Sequence, residues 1–286
     1  MNNFDLYRFS QALKCYFMTS RRTWLRNFGI FTLVMFMADL FFTRIQGHSF
    51  ADMVEWWGLD VAVRTYTSYV ESTAIFGLVF FFIAMLFGAS FLFSHMKETR
   101  QRTTYLMWPV SNLEKYLVPL VHNILLLGIG TLVAYHLADA LRVLLDWSTG
   151  RVVIWGVPYF WDIVSSPFDG SDDPWQLTAF AVGSYLWFHS LYILGGSLFR
   201  RQQFLLTSIA IVIGFFLFVW AAHTLALVPG VNSHFEFMAL HDGVWHVHWS
   251  FYIILGAEYG LTALHYWLSY KIFCRMQVIN NKWLNV

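Results

Sequence analysis

Charge is the first thing this chain is short of. Only 12% of its 286 residues are Asp, Glu, Lys or Arg, about half the roughly 25% of ordinary soluble domains. With 58% hydrophobic and 20% aromatic residues, it lacks the polar groups to cover a water-facing surface, and a membrane protein is expected. Lys and Arg number 18 against 17 Asp and Glu, a net charge of +1, so there is no global electrostatic case for nucleic acid as a partner. Cysteine is nearly absent: Cys15 and Cys274 lie far apart, without the paired spacings of a disulfide framework. The first twenty residues lack an apolar core followed by small residues, and no cleavable signal peptide is expected. No Gly-Lys pair occurs, which excludes the phosphate-cradling G-x-x-x-x-G-K-[ST] loop. Repeats of fixed period, low-complexity tracts and a linker to a soluble domain are missing too. One membrane domain, 1–286, is expected to account for the chain.

Long apolar runs are what the chain has instead. About 20 such residues, rising about 1.5 Å each, cross a hydrocarbon layer of roughly 30 Å. Six segments reach or approach that length, near 27–43, 72–94, 117–137, 177–199, 204–228 and 249–270. The expected fold class is therefore an all-α membrane protein with six transmembrane helices. Lys and Arg divide unevenly between the alternate sides. One side holds Arg8, Lys14, Arg21, Arg22, Arg26, Lys97, Arg100, Arg102, Lys115, Arg200, Arg201, Lys271, Arg275 and Lys282; the other has only Arg44, Arg64, Arg142 and Arg151. Positive residues mark the cytoplasmic face, so both termini are expected inside and both cysteines in a reducing cytosol. The link between the fourth and fifth spans, near Arg200–Gln203, is short enough to make those helices antiparallel neighbours.

Ahead of the first span, Leu6, Phe9, Leu13, Tyr16 and Phe17 alternate with Asp5, Arg8, Gln11 and Lys14 at helical spacing. This predicts an amphipathic helix lying in the membrane interface, with its basic residues toward lipid headgroups. Between the second and third spans, His95–Arg102 is expected to continue the second helix, with Glu98 four residues before Arg102 in the favourable order for an ion pair. The chain then breaks at Trp108-Pro109. Ser111-Asn112-Leu113-Glu114 has the S-x-x-E spacing of a capping box, so a new helix starts at Asn112. Pro119, two turns in, predicts a kink or break. The outcome is a short capped elbow between two spans.

The run Tyr105-Leu106-Met107-Trp108-Pro109-Val110-Ser111-Asn112-Leu113-Glu114-Lys115-Tyr116-Leu117 resembles the "LMLPASNLEKFL" stretch after the second span of small bacterial membrane proteins similar to the permease subunits of type-2 ATP-binding-cassette (ABC) transporters. Trp108 stands where that family usually has Leu, and Val110 where it has Ala. The resemblance implies a permease subunit in a bacterial cytoplasmic (inner) membrane, working with a second permease copy or paralogue and a cytosolic ABC ATPase. It also implies that the elbow docks on the ATPase, with Lys97, Glu98, Arg100, Arg102, Ser111, Asn112, Glu114 and Lys115 as the contact surface. The other reading of these residues is that they solvate a loop and supply positive-inside charge.

Three further groups could carry chemistry. Glu258 lies near the middle of the sixth predicted span, where a charge costs about 2.5–3.5 kcal/mol on insertion scales, so it is expected to face inward. His189 and His265 are its candidate partners. The functional alternative is a polar pathway or proton relay; the structural one is a single interhelical hydrogen bond from a protonated carboxyl, worth about 1 kcal/mol or less. His234, Glu236, His241, Asp242, His246 and His248 crowd the connection before the last span. They are weak zinc candidates, because nothing matches H-E-x-x-H, and a polar rim is preferred. A metal-dependent enzyme at the outer face and a non-transporting scaffold or sensor subunit remain the alternatives to a permease. Asp39 and Asp139 are expected near water at the outer ends of their spans, with Asp139 paired to Arg142 at i+3. The abundant aromatics suit lipid-facing and interfacial surfaces, and no cofactor is expected.

Overall fold

The computed structural model describes residues 4–45, 50–96, 98–165, 173–199, 201–226, 238–241 and 244–275. Among them the fold is helical apart from one small hairpin. The helices are α1 (Leu6–Leu40), α2 (Phe50–Trp57), α3 (Leu59–Ser90), α4 (Thr99–Leu106), α5 (Asn112–His122), α6 (Ile129–Ser148), α7 (Val157–Ser165), α8 (Pro174–Leu198), α9 (Gln203–Ala226) and α10 (Trp249–Arg275). Strands β1 (Met238–His241) and β2 (Val244–Val247) pair antiparallel between α9 and α10. Five helical runs are long and apolar enough to cross a membrane: the one beginning with α1, α3, the run Asn112–Ser148, α8 and α9. Helix α10 has the length at 27 residues but is not among the five. Glu258, Thr262, His265, Tyr266 and Ser269 make it the most polar of the segments expected to span.

Several expected boundaries move, each for a local reason. The amphipathic N-terminal segment and the first span form one continuous 35-residue helix. There is no hinge near Arg21–Arg26 on which the first part could turn flat while the second part crosses. Helix α3 begins at Leu59, not near 72, because Ala62, Tyr66 and Val70 recur every four residues and are all buried, packing with Met53. Asp60, Arg64 and Glu71, which made this stretch look like a loop, fall between them. Gly58, at φ +83°, makes the tight turn that separates α2 from α3. At its other end α3 stops at Ser90. A turn and a 3₁₀ segment, Ser94–Met96, intervene before α4, so the second span does not run on through His95–Arg102 as one helix.

The described residues group into two compact units, each assembled from distant parts of the chain. One comprises the first turns of α1, the end of α3, α4, the start of α5 and everything from α8 onward. Here α8 and α9 are antiparallel neighbours, as the short link requires. Tyr192 meets Ser208 at 2.9 Å, and Gln203 Nε2 donates to the Gly196 carbonyl at 2.8 Å, across a turn in which Gln202 takes a left-handed φ of 50°. Helices α8 and α10 run parallel: Phe180 packs on Phe251, Ser184 bonds Glu258 and Ser190 bonds His265, the two numberings rising together. Thr207 fills the space beside Gly195, and the backbone of Ser90 crosses directly over Gly196.

The other unit holds most of α1, α2, the body of α3, the end of α5, α6 and α7. Met35, Ala74, Tyr135, Ala138 and Phe160 form its apolar core. Next to this core lies a network of buried charge. Arg142 is fully buried on α6, and its Nη2 lies 2.6 Å from Asp139 Oδ1 and its Nη1 3.0 Å from Asp146 Oδ2. Arg44 Nη2 reaches Asp146 Oδ1 at 2.6 Å. Asp139 Oδ2 accepts the backbone N–H groups of Gly156 and Val157, anchoring the start of α7. The expected Asp139–Arg142 pair is present, but water does not reach it. Asp39, Asp139 and Asp146 are all at least 98% buried, a burial that ions tolerate only when paired and fully hydrogen-bonded.

A Cβ at position 196 would sit 2.6 Å from the Ser90 carbonyl oxygen, a backbone atom that cannot swing away. Gly196→Ala is therefore expected to destabilise the protein by about 1–3 kcal/mol. Gly29→Ala, with nothing within 4 Å of the new methyl, should be neutral or slightly stabilising. Thermal unfolding of the two full-length variants in detergent checks the contrast.

Candidate functional site

The elbow between α3 and α6 is built around one carboxylate. Asn112 opens α5, and the capping box expected ahead of it is present: the Ser111 N–H donates to Glu114 Oε2 at 2.7 Å, and the Glu114 N–H to Ser111 Oγ at 3.3 Å. Glu114 does more than cap. Its Oε1 accepts the Asp5 backbone N–H at 2.8 Å and Arg8 Nη2 at 2.7 Å, while Oε2 also accepts Arg8 Nε at 2.9 Å. Four donors thus converge on a fully buried side chain, two on each oxygen. Asp5 is the N-cap of α1, its Oδ1 taking the Arg8 N–H at 3.0 Å. One carboxylate therefore closes two helix N-termini together. Arg8 is turned onto it, and not toward lipid headgroups as the amphipathic pattern suggested.

A second lock joins α4 to α5. Pro119 has no N–H to offer the carbonyl four residues back, that of Lys115. The hydroxyl of buried Tyr105 on α4 donates to that freed carbonyl. Lys115 in turn sends Nζ to the Leu106 carbonyl at 2.7 Å, satisfying the C-terminal end of α4. With its partners met locally, α5 runs through Pro119 to His122, and the expected break is replaced by a π-helical stretch, Asn123–Gly128, just beyond. Arg102 folds back to give Nε to the Met96 carbonyl at 2.8 Å.

The eight residues expected to form a contact surface therefore divide. Arg102, Ser111, Glu114 and Lys115 are buried and spent on intrachain bonds, so they form the frame of the elbow. Glu98, Arg100 and Asn112 are exposed, as are Met107 and Leu113 beside them. Lys97 lies outside the described residues. Electrostatics follow the geometry. The Arg8 guanidinium, helped by the Asp5 and Ser111 N–H groups, holds the Glu114 carboxyl down at about 2 against its desolvation. Burial pushes the Lys115 ammonium below the ordinary lysine range.

Glu258, His189 and His265 share one helix pair but do not meet. Glu258 Oε1 accepts from Ser184 Oγ at 2.6 Å, His189 Nδ1 contacts Tyr266 Oη at 2.8 Å, and His265 Nδ1 contacts Ser190 Oγ at 3.1 Å. Tyr259 Oη donates to the Ala179 carbonyl at 2.9 Å. These are rungs of a polar ladder between two parallel helices; Glu258 makes one interhelical hydrogen bond, but its carboxyl oxygen accepts from Ser184 where a protonated carboxyl was expected to donate. Gly183 makes room for it, since a Cβ there would lie 2.6 Å from Glu258 Oε2. An apolar groove of about 730 Å³ between α8 and α9 has no charged or titratable side chain in its lining.

Of the histidines expected in the connection before the last span, His234 and the neighbouring Glu236 and Asp242 lie outside the described residues. His241 and His246 sit in the hairpin opposite Val244 and Ala239, so they are not register partners. His248 Nδ1 contacts Ser250 Oγ at 3.1 Å. Asp173 ties the hairpin to α8, accepting the Val247 N–H at 3.0 Å and Gln176 Nε2 at 2.6 Å. Among the described residues no three His, Cys, Asp or Glu side chains are placed to hold a metal ion. Sequence reasoning found the capping box but missed Tyr105 and Arg8. The missing N–H of Pro119 could have pointed to a donor for Lys115, although not to which one.

Ser111→Ala should cost about 0.5–2 kcal/mol as a lost N-cap, and Glu114→Ala more, because it also strands the Asp5 N–H and Arg8. A carboxyl held low in the folded chain contributes its full stabilisation above the ordinary carboxylate range, begins to lose it as pH falls through that range and has lost it once pH is below about 2. Arg8→Ala should move that loss toward the ordinary range. Hydrogen exchange at the Asp5 and Ser111 amides, followed from neutral to acid pH, reads it out. Among known proteins, no family model, no curated protein and no solved structure matches this chain.

Proposed function

We propose that this chain is the membrane subunit of a bacterial type-2 ABC exporter. In this reading it crosses the inner membrane six times with both termini inside, beside a second permease copy or paralogue, and is driven by a separate cytosolic ATPase. The observation that carries the proposal is the interlocked elbow. A motor that moves when it binds nucleotide must push on something that does not bend. Here the Tyr105–Lys115 and Lys115–Leu106 bonds join the two short helices of the elbow, and Glu114 fastens the second of them to the start of α1. The likeness of 105–117 to the permease stretch falls on this element.

The parallel course of α8 and α10, with α9 antiparallel between them in sequence, supports counting α10 as the sixth crossing. Its polar face is then covered by α8 through the Ser184–Glu258 and Ser190–His265 bonds, and an inward-facing polar residue is the usual way a span tolerates one. Among the described residues the contact surface for the ATPase narrows to Glu98, Arg100 and Asn112, with Met107 and Leu113 as apolar neighbours. The polar ladder serves helix packing in this reading. No cargo is assigned.

Co-purification from native membranes tests the proposal. An ATPase subunit should come down with the wild-type chain and be lost from a folded Arg100→Glu/Met107→Asp double variant. Recovery of no ATPase with the wild type, or undiminished recovery with the variant, would overturn it.

A further inference from the structure

The buried charge network on α6 has one carboxylate too many. Three buried carboxylates, Asp39, Asp139 and Asp146, share two guanidinium groups, that of buried Arg142 and that of partly exposed Arg44. Arg142 is fully committed, whereas Arg44 spends Nη2 on Asp146 and keeps a buried Nε with no partner among the described residues. Arg142 bridges Asp139 and Asp146 and gives Nη2 to the Ile154 carbonyl at 2.6 Å, and Arg44 is bound to Asp146. Asp146 also accepts the Tyr66 hydroxyl at 3.2 Å. Asp39 on α1 receives none of these salt bridges, although it is only 2% exposed, and its Oδ2 has no hydrogen-bond partner among the described residues.

The surroundings of Asp39 decide which form fits. Its carboxyl faces Thr73 of α3 and feels Arg142 and Asp139 of α6, with the Tyr135 hydroxyl, also on α6, close by. Thr73 spends its single hydroxyl proton on the Val70 carbonyl at 2.8 Å. With that proton committed, Asp39 Oδ2 is left without a donor among the described residues, and an ionised carboxylate, an acceptor only, cannot supply one. A protonated carboxyl can, because its O–H is a donor. Adding one proton also brings the network to two ions of each sign, whereas an unpaired buried charge is expensive.

We propose that Asp39 is a proton-binding site: the folded chain holds one exchangeable proton there, and the charge balance of the whole network depends on it. Release of the proton to water leaves three buried carboxylates competing for two guanidinium groups. Arg142, already near Asp39, is the cation that can respond, and any shift toward Asp39 weakens its hold on Asp139. Asp139 Oδ2 carries the N–H groups of Gly156 and Val157 at 2.9 and 3.1 Å, so the segment entering α7 is the part that loosens. This links proton occupancy to the anchoring of one loop, using residues that all belong to a single compact unit.

Infrared spectroscopy of the full chain in detergent, with its aspartate carboxyls labelled with carbon-13, tests the site directly, since the label sets Asp39 apart from Glu258. A protonated, isotope-shifted carboxyl band is expected at neutral pH, fading on alkaline titration and missing from a folded Asp39→Asn variant. Hydrogen exchange at Gly156 and Val157, corrected for intrinsic chemistry, should accelerate at least several-fold over the same alkaline range in the wild type and stay flat in Asp39→Asn. Absence of the band from the wild type, its persistence in Asp39→Asn, or failure of that neutral isostere to fold would overturn the proposal.

Discussion

The buried carboxylate of Glu114 is the constraint on which the elbow depends. A charge removed from water must find its full set of donors inside the chain, and Glu114 finds four: the Ser111 N–H, the Asp5 N–H and two from Arg8. These donors come from residues more than a hundred positions apart. The start of α5 therefore cannot move off the start of α1 without exposing an unpaired anion, and the capping box that begins a helix also fixes where another helix begins. Pro119 acts in a complementary way. By withholding a backbone donor it leaves the Lys115 carbonyl free for Tyr105, and so turns a potential break into a cross-link between α4 and α5.

The same accounting governs polar groups elsewhere. On α6, Asp139, Arg142 and Asp146 succeed one another along one face and are fully buried, which is possible because Arg44, Tyr66 and the 154–157 backbone supply the missing partners. Along α8 and α10 Ser184 meets Glu258, His189 meets Tyr266 and Ser190 meets His265, while Glu258 Oε2 and His189 Nε2 have no partner among the described residues. Helix α10 is thereby relieved of its polarity by its neighbour, and Gly183 is small enough to let Glu258 lie against α8. Where the pairing does not close, as at Asp39, the remaining balance is met by a proton in the proposal made above.

Much of this architecture could be read along the chain. Low charge and long apolar runs are sums over composition, and they pointed to a helical membrane protein before any contact was known. The Ser111–Glu114 cap, the antiparallel α8 and α9, the Asp139–Arg142 pair and an interhelical bond for Glu258 were legible because each involves close spacing or a residue too costly to leave unpaired. The limits of the helices were less so. Hydropathy alone put the second span near 72, yet α3 starts at Leu59, since burial of Ala62, Tyr66 and Val70 on one face outweighs the charges on the other.

What remained out of reach was partner choice between distant segments. Periodicity assigned Arg8 to a solvated face because a single sequence does not say which buried anion lies opposite; the fold brings Glu114 there. Lys115 and Arg102 counted as surface charge for the same reason, and both are turned inward onto backbone carbonyls. By itself the sequence determined that the chain is helical and apolar, where most of its helices run, and that a capped turn follows Pro109, because composition and helix signals act within a few residues. Only the tertiary structure decided which charges are buried and which donors satisfy them, because desolvation and hydrogen-bond geometry depend on atoms that chain order does not place together.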